Sequence, residues 1–133
     1  MFSKAYSATI QGIDGIIVSV EADVSDGLPL FDMVGLLNSE VKEARERVRI
    51  ALKNSGYMLP AKRITVNLSP ADIRKEGTVF DLPVAIAILA AFGHVLEENL
   101  INTLIIGELS LNGKVAKVNG VLPLVYSAME RGF

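Results

Sequence analysis

Lys42, Arg45, Arg49 and Lys53 follow one another at intervals of three and four residues, the spacing that stacks side chains along one face of a helix. On a helix they form a cationic stripe whose like-charge neighbours mildly oppose one another. Such a stripe can attach to phosphates or to an acidic protein surface. Lys62-Arg63 and Arg74-Lys75 are two further basic pairs, able to extend the stripe if the fold brings them to the same side. Two readings stay open: a solvated helix face balanced in part by Glu43 and Glu46, or a surface for nucleic acid or an acidic neighbouring subunit. No aromatic residue is interleaved with these charges, so contact with a nucleic-acid backbone, rather than base stacking, is the expected mode.

Covalent and acid–base chemistry finds less support. The run from Gly107 to Lys114 has the outline of a phosphate loop, but five residues separate its glycines and Val115 stands where a magnesium-ligating hydroxyl belongs. A P-loop has four residues there and a Ser or Thr after its lysine, so the run is expected to be a hairpin turn. Asp72, Glu76 and Asp81 fall in a loop and at a helix start, where capping accounts for Asp81. His94 follows Gly93 at a helix end and has no evident partner for proton transfer. The chain has no cysteine and one histidine, which excludes disulfides, cysteine metal sites and histidine clusters.

The 133 residues are half hydrophobic and 21% charged, with a net charge of −2. They are enough to bury a core as a single domain, and any nucleic-acid contact must be local rather than global. The longest apolar run, Leu82 to Phe92, falls short of the ~18 residues of a membrane span. No secretory signal opens the sequence, and the cytoplasm is the expected location.

These residues need elements to position them. Ala5–Gln11 and Ile16–Asp23 read as a hairpin around Gly12, Asp14 and Gly15, with Ile16, Val18, Val20 and Ala22 alternating inward. Leu30–Val34 is a third strand. Asn38 or Ser39 caps a helix whose apolar positions Val41, Ala44, Val48 and Leu52 recur at helical spacing and which Gly56 stops. Glu40 and Glu43 come early in it and Arg47, Arg49 and Lys53 late, as the helix dipole favours. Arg63–Leu68 alternates as a strand, and Ser69 to Gly77 forms a loop. Asp81 then suits the N-cap of a helix reaching Phe92 that is apolar all round and must be covered on several faces. Thr103–Leu109 and Lys114–Val118 read as a second hairpin with a two-residue Asn112-Gly113 turn. Val121–Glu130 closes the chain as a helix, near enough to Phe133 that the sequence reads as a fragment of a longer protein.

Several runs together carry a resemblance. They are Phe31-Asp32-Met33-Val34-Gly35-Leu36, Val41 to Arg49, Asn54-Ser55-Gly56, Lys62 to Asp72, Arg74-Lys75-Glu76-Gly77 and Phe80-Asp81-Leu82-Pro83. In this order they resemble the N-terminal domain of ComM/YifB-type magnesium-chelatase-like AAA+ ATPases over essentially the whole chain. Leu37-Asn38-Ser39 departs from that family, which commonly has a proline and an aspartate there. The same domain is similar to the proteolytic domain of Lon and the C-terminal domain of RadA. That likeness implies an α/β (α+β) fold of the ribosomal protein S-five domain-two type, with a left-handed βαβ crossover. By the same likeness the Lon serine falls near Phe80 or Asp81 and the Lon lysine at Leu122. Neither position carries its dyad group, and a Ser/Lys peptidase needs both a hydroxyl and a neutralisable amine.

The resemblance therefore implies a noncatalytic domain, residues 1–133, preceding an ATPase segment that would bind ATP and magnesium; no cofactor is expected in these residues. Its partners would be its own AAA+ segment, neighbouring subunits of a hexameric ring, and DNA, with no membrane. The parent would be a ComM-type helicase that drives branch migration in natural transformation. The alternative is a module that only joins subunits, signalled by the apolar Leu82–Phe92 helix. A peptidase acting through Ser69 lacks a lysine or histidine placed as its base.

Overall fold

The structure is a computed structural model that describes every residue from Met1 to Phe133. Strands β1 (Phe2–Gln11) and β2 (Asp14–Ser25) form the expected hairpin. Their register runs from Phe2 opposite Asp23 to Gln11 opposite Asp14, leaving Gly12-Ile13 as a two-residue turn. Period two decides which side is buried: Val18, Val20 and Ala22 are fully enclosed. Glu21 lies on the opposite face, where it accepts a 2.8 Å hydrogen bond from Asn67.

Strand β3 (Leu30–Val34) is followed by helix α1 (Ser39–Asn54) and strand β4 (Arg63–Ser69). Strands β3 and β4 pair in parallel, from Leu30 opposite Arg63 to Val34 opposite Asn67, so α1 is the crossover of a βαβ unit. Strand β4 also pairs antiparallel with β2, giving a mixed four-stranded sheet of order β1-β2-β4-β3. The architecture is α+β.

The entry into α1 depends on one glycine. Gly35 has φ +123°, and a Cβ there would lie 2.3 Å from the Leu68 carbonyl oxygen; the chain leaves β3 in contact with the backbone of β4. Asn38 is the cap, its side-chain oxygen accepting from the Val41 amide at 3.0 Å, as an N-cap does. Val41, Ala44, Val48, Ala51 and Leu52 are buried on one face of α1, and Gly56 adopts φ +91° beyond its end.

Helix α2 (Asp81–Ala91) lies against β1, β2 and α1. Its apolar circumference is enclosed, with Val84, Ala87 and Ile88 at zero exposure. The cover comes from this domain itself, so the apolar helix is explained without a partner. Asp81 corrects the sequence reading: it is the first residue of α2, no side chain caps the helix, and its carboxylate is committed elsewhere, as described below.

The second hairpin is also smaller than expected. Only Glu108–Leu109 (β5) and Val115–Ala116 (β6) pair, and the turn spans five residues rather than two. Asn112 accepts from the Lys114 amide at 2.9 Å through its side chain, and the Ser110 amide donates to the Lys114 carbonyl at 2.9 Å. Residues 104–106 are not part of this hairpin; they flank β1, where the Ile105 amide donates to the Tyr6 carbonyl at 2.9 Å. Helix α3 (Val121–Glu130) closes the fold over the first hairpin. Gly15 makes that contact possible: its amide donates to Ser127 Oγ at 3.1 Å, and a Cβ on Gly15 would lie 2.5 Å from Ser127.

Candidate functional site

All four stripe residues, Lys42, Arg45, Arg49 and Lys53, are exposed on α1. The helix rise of ~1.5 Å per residue makes the row about 16 Å long. The cations are not equally free. Arg45 donates to the Phe31 carbonyl of β3 at 3.3 Å, and Arg49 pairs with Glu46 at 2.8 Å. This pair raises the Arg49 pKa and lowers that of Glu46, chiefly through their hydrogen bond. Lys42 and Lys53 form no ion pair.

The flanking basic pairs divide. Lys62 precedes β4 near the C-terminal end of α1 and is hydrogen-bonded to Asp26, whose carboxyl this bond holds below its usual range. Arg63 is exposed at the start of β4. Arg74 is exposed beside the start of α1 and contacts Glu76 at 3.3 Å. Lys75 faces inward and belongs to no surface. Its residue is fully buried, and its amine donates to the Gly35 carbonyl at 2.7 Å and to the Pro70 carbonyl. Its backbone completes the tie, accepting from Asn38 at 3.1 Å and donating to Leu36 at 3.0 Å. Burial lowers the amine's pKa, against a smaller opposing pull from Asp72. Lys75 therefore pins the Ser69–Gly77 loop to the entry of α1.

Sequence reasoning missed two arrangements. Arg47 lies off the stripe, and its guanidinium grips Asp81 twice, Nε to Oδ2 at 2.7 Å and Nη2 to Oδ1 at 3.0 Å. Asp81 Oδ2 also accepts from the Leu109 amide at 3.0 Å, and Arg47 donates to the Glu40 carbonyl at 3.0 Å. Hydrogen bonding to Asp81 raises the Arg47 pKa despite partial burial. The only sequence signal was a basic residue displaced from its neighbours' row. The second arrangement is a cleft of ≈ 430 Å³ between the C-terminal half of α1, β3 and the Tyr57–Lys62 segment. Phe31 of β3 and Tyr57, just beyond the end of α1, line it together with Arg49, Lys53 and Lys62.

The positions aligned with the Lon dyad lie apart in character. Phe80 is fully buried, Asp81 is bound to Arg47, and Leu122 is 79% exposed. A second cleft of ≈ 410 Å³ opens between β1, the Glu76–Val79 turn and Val118–Gly120. Thr9, Thr78, Glu40, Glu76 and Asn119 contribute its polar groups, and no lysine, arginine or histidine lines it. His94 is exposed after α2 and meets the Tyr57 ring edge-to-face at 5.6 Å. Ser69 is half-buried at the end of β4.

The Gly107–Lys114 run does not fit a triphosphate. Its Gly107 amide donates to the Val79 carbonyl at 3.0 Å, its Leu109 amide to Asp81, and its Gly113 amide to Ser110 at 2.9 Å. Amides that cradle a phosphate must be free to point at it.

Comparison with known proteins places this arrangement. Residues 20–133 match the protein family described as subunit ChlI of Mg-chelatase. The competence protein ComM of Haemophilus influenzae is 46% identical over 125 residues, 94% of this chain and 25% of its own length. YifB of Escherichia coli is 46% identical over 130 residues, 98% of this chain and 26% of its own. An uncharacterised protein of Mycobacterium tuberculosis is 45% identical over 130 residues, with the same coverage of 98% and 26%. The chain thus spans about a quarter of the length of these relatives. A family match over residues 20–133 and 46% identity to relatives over 94–98% of the chain leave one assignment: the chain belongs to the ComM/YifB family of magnesium-chelatase-like proteins.

Proposed function

We propose that these residues form a noncatalytic assembly and DNA-contact domain within a ring-forming AAA+ ATPase of the magnesium-chelatase type. The exposed row Lys42, Arg45, Arg49 and Lys53 on one helix carries the reading. In this proposal the domain is the N-terminal part of a cytoplasmic ComM-type branch-migration helicase acting in natural transformation. ATP and magnesium are used by a segment outside these residues. Here the row holds phosphates by charge, and the ring supplies movement. The chain's net charge of −2 supplies no global attraction, so contact is local and strongly salt-dependent.

The test measures anisotropy of fluorescent single-stranded and branched DNA at low salt with wild-type chain and with an Arg45→Ala, Arg49→Ala, Lys53→Ala variant. The variant should bind at least tenfold more weakly. Equal binding by the two proteins would remove the row from the function.

A second reading, a module that joins subunits without touching DNA, is favoured by a different feature. Leu122, Tyr126 and Met129 of α3 are 79%, 63% and 66% exposed. In a full-length relative, loss of rings on deleting this domain, together with unchanged DNA binding, would select that reading.

A further inference from the structure

The stripe does not end in open solvent. Arg49 and Lys53, its last two members, stand on the rim of the ≈ 430 Å³ cleft, with Lys62 also on its lining. Leu52, Ile64 and Ile88 provide apolar surface within it, and Phe31 and Tyr57 bring two aromatic rings. Tyr57 is 38% exposed and is braced by its edge-to-face contact with His94. Met58, 87% exposed, projects beside it.

We infer that this cleft receives an unstacked base of a single-stranded nucleic acid whose phosphates run along the α1 stripe; the inference rests on the DNA-contact reading above. The chemistry divides along the strand. Phosphates seek Lys42, Arg45, Arg49 and Lys53, while a base seeks an apolar slot with π faces, which Tyr57 and Phe31 provide. A duplex keeps its bases stacked and would have to extrude one to use the slot, at a cost of a few kcal/mol. An acidic peptide with an apolar side chain could also enter. It would leave unused the Lys42–Arg45 end of the row, which lies beyond the cleft lining. A single strand engages both features, and so is the favoured occupant.

The experiment titrates the chain with a fluorescein-labelled oligodeoxythymidine of about 20 nucleotides, long enough to cover one domain, and with its duplex. The strand should bind more tightly than the duplex. Tyr57→Ala should weaken strand binding between about fivefold and a hundredfold, the range for loss of one stacked base, and Met58→Glu should weaken it similarly by placing a carboxylate at the rim. Tyr57→Phe, which keeps the ring, should stay within about twofold because stacking needs no hydroxyl. Melting curves check that each variant remains folded. If Tyr57→Ala and Met58→Glu bind as wild type while the Arg45, Arg49 and Lys53 variant has lost binding, the base slot is wrong and the DNA-contact reading stands. If none of these variants changes binding, both are wrong. Saturation of the wild-type cleft by a leucine-bearing acidic peptide but not by the oligonucleotide would overturn both in favour of a protein partner.

Discussion

Arg47 and Asp81 are 34 residues apart in sequence, yet the guanidinium of one lies across both carboxylate oxygens of the other, at 2.7 and 3.0 Å. The contact links α1 to the first residue of α2, and through Asp81 and the Leu109 amide it reaches β5. One carboxylate thus serves three elements.

Removing either partner should be costly. Asp81 is fully enclosed while the Arg47 side chain retains 21% exposure, so the loss falls below the 3–5 kcal/mol of a fully buried pair, at about 2–3 kcal/mol. Urea denaturation of Arg47→Ala and Asp81→Ala should show this. Arg47→Met with Asp81→Leu should recover part of it, since no charge is then stranded. A single-variant loss under about 0.5 kcal/mol would mean that solvent replaces the contact.

Lys75 carries a pH signature. Its folded pKa is lowered from 10.5 by burial, so on raising the pH the native state releases this proton before the unfolded chain does. Between the folded value and 10.5 the unfolded state binds more protons, and stability rises with pH. Below that window Lys75 is protonated in both states and contributes no slope. Denaturation midpoints followed into the alkaline range should show a rising component that disappears in Lys75→Met. Identical profiles for the two proteins would show that the amine is solvated in the native state.

Gly35 should tolerate no side chain. Alanine there combines φ +123° with a 2.3 Å approach to the Leu68 carbonyl, and both strain and overpacking follow. Gly35→Ala is expected to lose about 3 kcal/mol or more, read as a fall in melting temperature. Gly56→Ala is the comparison: it has a similar sign of φ but open space around it, and should lose less.

The salt dependence of strand binding counts the phosphate contacts. Each contact with a single strand contributes about 0.7 to the slope of log K against log salt. Replacing both Arg49 and Lys53 by alanine should therefore reduce the slope by about 1.4. Anisotropy titrations across a salt series give the slope directly, and an unchanged slope would place the phosphates elsewhere.

Local patterns carried most of the fold. The Asn38 cap, the buried row Val41, Ala44, Val48 and Leu52, and the Gly56 stop define α1 because each depends on neighbours within a turn or two. The strands of the first hairpin were legible for the same reason. Asp81 was not, because an acidic residue before an apolar run has the look of a cap, and nothing nearby reveals Arg47. Lys75 was read as half of an exposed basic pair; its burial depends on how a loop folds back over Gly35. The stripe was visible as spacing. The cleft at its end was not, since it forms only where Phe31 of β3 and the Tyr57–Lys62 segment come together beside α1.

The seating of α3 on the first hairpin has a consequence for synthesis. Tyr6 of β1 meets the ring of Phe133 at 5.3 Å, and Gly15 holds Ser127. A ribosome delivers the hairpin first and the helix that shields it about a hundred residues later. Until α3 clears the exit tunnel, the flank of β1 and β2 lies bare, so a nascent chain halted before residue 121 should attract chaperones that one extended beyond α3 escapes.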